Sequence, residues 1–336
     1  MIQKSFAKVK VDGISQVAIA VNNLEEVAEN FWKILGIGPW MIFNWEAPLV
    51  YDRKYQSADI KAREKIAITQ VGDCWLELVQ PVEGASIYAD FIEEQGEGYH
   101  HLQFLTEDVD GASKILTDQG FKSIQSGRFG PGEYNGAYNY IDMPQLGAIW
   151  EPAHIGEEIG AEPVMYPGTT GESPAKIKIK GINQVAIVVD DLEKTAMNYW
   201  NILGIGPWMI FDWEAPLVYD RKYHGQPAEA REKIALTQVG DVQLELVQPV
   251  EGQSIYKDWL DEHGESIHHI NFIVDDVDES SAILTGLGFE SIQSGRFGPS
   301  KYNGAFNYIE IPPLRTIWEP AHIGEEIGAD PRMFPE

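Results

Sequence analysis

Residues 74–104 read CWLELVQPVEGASIYADFIEEQGEGYHHLQF, and the same pattern returns as VQLELVQPVEGQSIYKDWLDEHGESIHHINF at residues 242–272. Each copy sets a glutamate, Glu77 or Glu245, inside an apolar run of strand character. It then passes through an amphipathic segment and reaches a histidine pair that opens another strand. Taking a carboxylate out of water without a partner is costly, so something must neutralise these glutamates. A metal ion is one such partner.

Outward from this stretch the repeat continues, with each position in the first half matched 168 residues later: Trp40 by Trp208, Arg53 by Arg221, Arg128 by Arg296, Glu151 by Glu319. The chain of 336 residues is therefore two copies of one unit, and two domains are expected, 1–168 and 169–336, joined by the Gly/Ser/Pro-containing link GTTGESPA at Gly168–Ala175. A unit of this size can bury a full core.

Composition narrows the function classes. An apolar content of 44% is that of a globular chain, no apolar run reaches the length of a membrane span, and MIQKSFAKVKVDG lacks the apolar core of a signal peptide, so a soluble cytoplasmic protein is expected. The net charge of −27 argues against nucleic acid, which requires a basic face. Cys74 is the single cysteine and Val242 stands in its place in the second copy, which excludes a disulfide framework and thiol catalysis and points to a small core residue.

Read in order, the first copy gives a strand at Gln16–Val21, a helix that starts on the capping pair Asn23/Glu26 and stops at Gly36, and a strand at Trp40–Phe43. A connection, EAPLVYDRKY at 46–55, leads to strands at Ile66–Val71 and Trp75–Val79 joined by a Gly72-Asp73 hairpin turn. A linking helix at Ser86–Glu94 follows. The order then repeats, with a strand at His101–Leu105, a helix at Val109–Gln119 ended by Gly120, and strands around Phe121–Gln125, Ala137–Ile141 and Ala148–Trp150. Each copy is two βαβββ modules, and the chain has four: an α+β class.

Paired βαβββ modules with polar residues set into their strands resemble the vicinal oxygen chelate superfamily, which holds glyoxalase I, methylmalonyl-CoA epimerase, extradiol dioxygenases and bleomycin-resistance proteins. The resemblance spans nearly the whole chain, once per copy. It implies a cleft lined by metal ligands near the first and last strands of each module, positions that hold Gln16, Glu77, His101 and Glu151 in the first copy and Gln184, Glu245, His269 and Glu319 in the second. The Gln, Glu, His, Glu set is similar to glyoxalase I, whereas LELVQPVEG followed by GEGYHH is similar to methylmalonyl-CoA epimerase.

The residue chemistry leads to the same place. One imidazole, two carboxylates and one amide oxygen make a mostly oxygen shell that balances a divalent ion of Zn, Ni, Co, Mn, Fe or Mg, two per chain. A lone strand histidine is more often a satisfied core residue, and a lone Glu77 or Glu151 would pair with Arg53 or Arg128. The complete set in both copies outweighs those readings. Strand alternation places His100 and His268 on the opposite face, outside the set.

Such a site polarises a carbonyl and assists proton transfer beside it: isomerisation, epimerisation, racemisation or a lyase reaction. The glyoxalase resemblance gives the base role to Glu151 and Glu319, with Glu77 and Glu245 as opposing acid or base. The aromatic and basic segments Trp40, Trp45, Tyr51, Arg53, Arg128 and Phe129, with Trp208, Trp213, Tyr219, Arg221, Arg296 and Phe297, read either as a substrate pocket for a flat apolar ketone or acyl thioester, or as cover for a sheet edge. A metal-free binding module is the main alternative, and a ring-cleaving dioxygenase stands behind it because Gln16 and Gln184 stand where the first of its two histidines would be. The chain is expected either as a monomer with pseudo-dimeric halves or as a homodimer.

Overall fold

The computed structural model describes residues 5–132, 135–168, 171–300, 303–324 and 327–335. Thr169 and Thr170, within the expected link, lie outside them. In the first copy, Asn23 caps α1 (Leu24–Leu35) by accepting from the Glu26 amide at 3.3 Å, and Gly36 closes the helix in the left-handed conformation, φ 69°. The buried stripe of that helix, Leu24, Val27, Ala28, Phe31 and Leu35, faces the sheet, and Phe31 meets the fully buried Trp40 at 5.5 Å.

Around that helix the strands are β1 (Gln16–Ala20), β2 (Trp40–Trp45), β3 (Val50–Tyr55), β4 (Ala58–Asp59), β5 (Arg63–Val71) and β6 (Cys74–Glu83). The linking helix α2 (Ile87–Gln95) then leads to β7 (Gly98–Leu105), α3 (Val109–Asp118), β8 (Lys122–Phe129), β9 (Gly136–Met143), β10 (Ala148–His154) and the short β11 (Val164–Tyr166). The sheet runs β11-β2-β5-β6-β1-β7-β10-β9-β8-β3-β4. Two βαβββ modules therefore meet at β1 and β7, as the repeat within the copy requires.

Three strands, β3, β4 and β11, and one register slip depart from the sequence reading. The stretch 46–55, expected as a connection, contains β3, which pairs antiparallel with β8. Its alternation is broken because Asp52 takes φ 48° and the register slips between Tyr51 and Lys54, so no period-2 pattern survives in VYDRKY. A second register slip, between Ala18 and Ile19, leaves His100 without a cross-strand partner on β1.

The strand order places β2 and β8 far apart in the sheet, yet the Trp45 ring on β2 lies 4.9 Å from Phe129 on β8 and 6.3 Å from Tyr138 on β9. The sheet is thus strongly curled, with its two ends approaching over a concave interior. Arg53 on β3 reaches across the same gap to Glu64 on β5.

The second copy repeats the order from the strand Gln184–Val188 to the strand Arg332–Phe334, with an equivalent sheet. The chain divides into two compact units. One holds Lys8–Pro144 and Ala148–Lys178, and the other holds Ile179–Glu336 together with Gln145–Gly147 and the stretch up to Ala7. No helix among the described residues is long and apolar enough to cross a membrane.

Candidate functional site

The four central strands of the first sheet, β6, β1, β7 and β10, bring Glu77, Gln16, His101 with Gln103, and Glu151 to the concave face. Register fixes the arrangement: Glu77 and His101 both lie beside Ala18, Gln16 lies opposite Gln103, and Gln103 lies beside Glu151. All are buried, at 8% exposure or less. The four expected ligands of each copy come from a single sheet, so each site forms within one copy.

His101 is the hub. Its Nε2 lies 3.5 Å from Glu77 Oε2 and 3.4 Å from Glu151 Oε2, while Gln16 Nε2 donates to Glu77 Oε2 at 3.0 Å. In the second copy His269 Nε2 lies 3.6 Å from Glu245 Oε2 and 3.2 Å from Glu319 Oε2. Burial, with the nearby Glu151 charge adding to it, pushes the Glu77 carboxyl well above the usual carboxylate range, and burial with Glu319 does the same to Glu245.

These residues fit a divalent ion. His101 Nε2 and His269 Nε2 are buried and have no hydrogen-bond partner among the described residues. Two ligand atoms that share an ion at about 2.1 Å in tetrahedral geometry stand roughly 3.4 Å apart, which is the spacing between each imidazole nitrogen and its flanking carboxylates. No three His, Cys, Asp or Glu side chains among the described residues already surround a ready-made ion position. The fit rests on these pairwise spacings, on the unpartnered nitrogens and on the donor set.

Residues outside the expected set complete the site. Gln103 Nε2 donates to Glu151 Oε2 at 2.8 Å, and Asn271 Nδ2 does the same for Glu319 at 2.7 Å. Gln103 was legible in principle, as a polar residue two places beyond His101 in an apolar strand.

His100 and His268, expected on the opposite face, are corrected here. The register slip breaks alternation, and His100 Nδ1 lies 2.9 Å from His101 Nδ1, with 2.8 Å for the second pair. Burial, and secondarily His101, holds His100 well below the usual imidazole range. A neutral His100 accepting from His101 Nδ1–H leaves the His101 Nε2 lone pair directed at the carboxylates. Tyr88 and Tyr140, bonded hydroxyl to hydroxyl at 2.6 Å, pack their rings around both imidazoles.

In the second copy a cavity opens onto Gln184, Glu245, Asn271 and Glu319 and is walled by Trp213, Phe297, Phe306, Ile234 and Leu236. Of the expected substrate residues, Trp213 and Phe297 are therefore at the site, and Trp45 and Phe129 occupy the matching core of the first copy. The others are placed elsewhere. Trp40 and Trp208 are fully buried and meet Phe31 and Tyr199 in tilted ring contacts. Arg53 and Arg221 are consumed by buried pairs with Glu64 and Glu232, at 2.6 and 2.7 Å. Arg128 and Arg296 bind Asp110 and Asp278, and Tyr51 and Tyr219 donate to the carbonyls of Gly132 and Ser300.

The comparisons agree with this architecture. The family model of the glyoxalase/bleomycin resistance protein/dioxygenase superfamily matches residues 15–138 and again 183–306. Among solved structures, a variant of 4-hydroxymandelate synthase from Streptomyces coelicolor aligns with TM-score 0.59 at 15% identity, covering 95% of each chain. A xylose isomerase-like TIM barrel/4-hydroxyphenylpyruvate dioxygenase fusion protein aligns with TM-score 0.51 at 14% identity, covering 96% of this chain and 50% of that one. Identities this low carry the fold alone. No curated protein sequence matches the chain. The doubled family match, laid over two curled sheets of paired βαβββ modules, makes this chain a tandem member of the glyoxalase/bleomycin resistance protein/dioxygenase superfamily.

Proposed function

We propose that each copy is a divalent-metal-dependent site for proton transfer beside a carbonyl, of the isomerase, epimerase or lyase type, acting on a flat apolar ketone or an acyl thioester. The observation that carries this reading is the pair of buried carboxylates flanking one unpartnered imidazole nitrogen, present in both copies. The superfamily includes metal-dependent enzymes, and its members typically hold a divalent ion. The donor set here, with Gln16 and Gln184 in place of a second histidine, differs from the two-histidine, one-carboxylate shell of oxygen-activating iron sites.

His101, Glu77, Glu151 and Gln16 would hold the ion in the first copy, and His269, Glu245, Glu319 and Gln184 in the second. A bound ion polarises a carbonyl oxygen and stabilises the negative charge that grows there as the neighbouring C–H ionises. Gln103 grips Oε2 of Glu151 and leaves Oε1 as the oxygen that takes the proton. Glu77, on the opposite side of His101, returns a proton to the other face or to the neighbouring atom, which gives inversion in one case and isomerisation in the other. The walls around Trp213, Phe297 and Phe306 exclude water and lay a planar acyl group across the sheet.

The test is hydrogen exchange followed by NMR. Metal-loaded protein in D2O is offered acyl thioesters with an α-hydrogen, aryl and alkyl ketones, and hemithioacetals of glutathione with 2-oxoaldehydes. Deuterium enters one class at the carbon beside the carbonyl, and the Glu151→Gln/Glu319→Gln double variant, which gives up the base and a ligand to each ion together, slows entry by at least about a hundredfold. Absence of exchange in every class, with ions bound at both sites, contradicts the reading.

A further inference from the structure

The two sites differ at one neighbour of the amide ligand. Gln16 lies beside Trp75 in the parallel pairing of β1 with β6, and the equivalent Gln184 lies beside Gln243. The consequence is visible in the hydrogen bonds. Gln184 Nε2 donates to Gln243 Oε1 at 2.7 Å, whereas Gln16 Nε2 donates to Glu77 Oε2 at 3.0 Å, a carboxylate of the same site. Both glutamines are 8% exposed, so water is a poor substitute partner for either amide.

An amide binds a cation through its oxygen, never through its NH2 group. Ion binding therefore selects the orientation with the oxygen inward, and the NH2 group then needs an acceptor elsewhere. Gln243 supplies one in the second copy. Trp75 has no acceptor atom, so in the first copy the Gln16 NH2 group relies on Glu77, a carboxylate that the ion itself would share.

We propose that Gln243 is a positioning residue which pre-orients the amide ligand, so that the second copy binds a divalent ion about tenfold more tightly than the first, the worth of one net hydrogen bond. The chain then fills in order, second copy before first. This rests on the metal reading above and adds an inequality between the sites to it.

Calorimetric titration of the metal-free full chain with Ni2+ or Zn2+ tests the order. Two steps separated by about tenfold are expected, with Glu319→Gln abolishing the tight step and Glu151→Gln the weak one. Gln243→Leu should weaken the tight step until the two merge. Trp75→Gln, which introduces an acceptor, should strengthen the weak step, and that gain cannot arise from misfolding. Two equal steps, or a tight step lost with Glu151→Gln, overturn the inference and leave two-ion binding standing. Failure of the chain to bind either ion overturns the metal reading itself.

Discussion

Glu77 sits between Leu76 and Leu78 on a central strand, and its carboxyl is pushed well above the range usual for a carboxylate by burial and by Glu151. A carboxyl whose folded pKa lies above its unfolded value of 4.5 contributes fully below that pH and loses its contribution as pH rises through the folded value. Metal-free protein should therefore lose part of its stability upward from about pH 4.5, and the Glu77→Gln variant should lose less over the same window. Thermal melts at several pH values, with and without Zn2+, check this. An added ion should raise Tm more at neutral than at acid pH in the parent chain, and parallel pH curves for parent and variant would contradict the assignment. The two glutamates and the histidine of each copy stood out in the sequence because a charged or titratable residue in an apolar strand is conspicuous. Gln103 was not singled out, because an amide is a common strand residue, and His100 was set aside, because a register slip moves it off the face that alternation assigns.

At the scale of elements, the curl of the sheet explains both what the sequence revealed and what it hid. Helices with caps, the Gly72-Asp73 hairpin and the apolar strands follow from local chemistry, and each was readable. The closure of β3 over the concave face was not, since β3 breaks its own alternation at Asp52 and pairs with β8, distant in sequence. For the same reason Arg53 looked like a substrate ligand. In the folded chain it ties β3 to β5, donating to Ala62 O at 2.7 Å and to Glu64 at 2.6 Å, with both side chains almost fully buried. Removing one partner of such a pair strands the other charge, so Arg53→Met should cost about 3–5 kcal/mol in urea unfolding of the copy that holds it. The double change Arg53→Met/Glu64→Leu should recover much of that loss. Normal stability of the single variant, coupled to impaired substrate binding, would return Arg53 to the site.

On the scale of the whole molecule, the repeat preserves all four polar positions and the curled sheet that collects them, while neighbours such as Trp75 and Gln243 diverge. Duplication was plain from the constant offset between the copies. That each site is completed inside one copy was not, because it depends on β6, β1, β7 and β10 being adjacent in a single sheet, a matter of strand order rather than composition.

The most direct measurement is the metal content of the purified chain by plasma mass spectrometry after reconstitution, for the parent, Glu151→Gln, Glu319→Gln and the double variant. Two sites of one design give close to two equivalents of a divalent ion per chain, about one in each single variant and nearly none in the double. A parent chain that holds no ion at saturating concentration, or variants that retain both equivalents, would contradict the account.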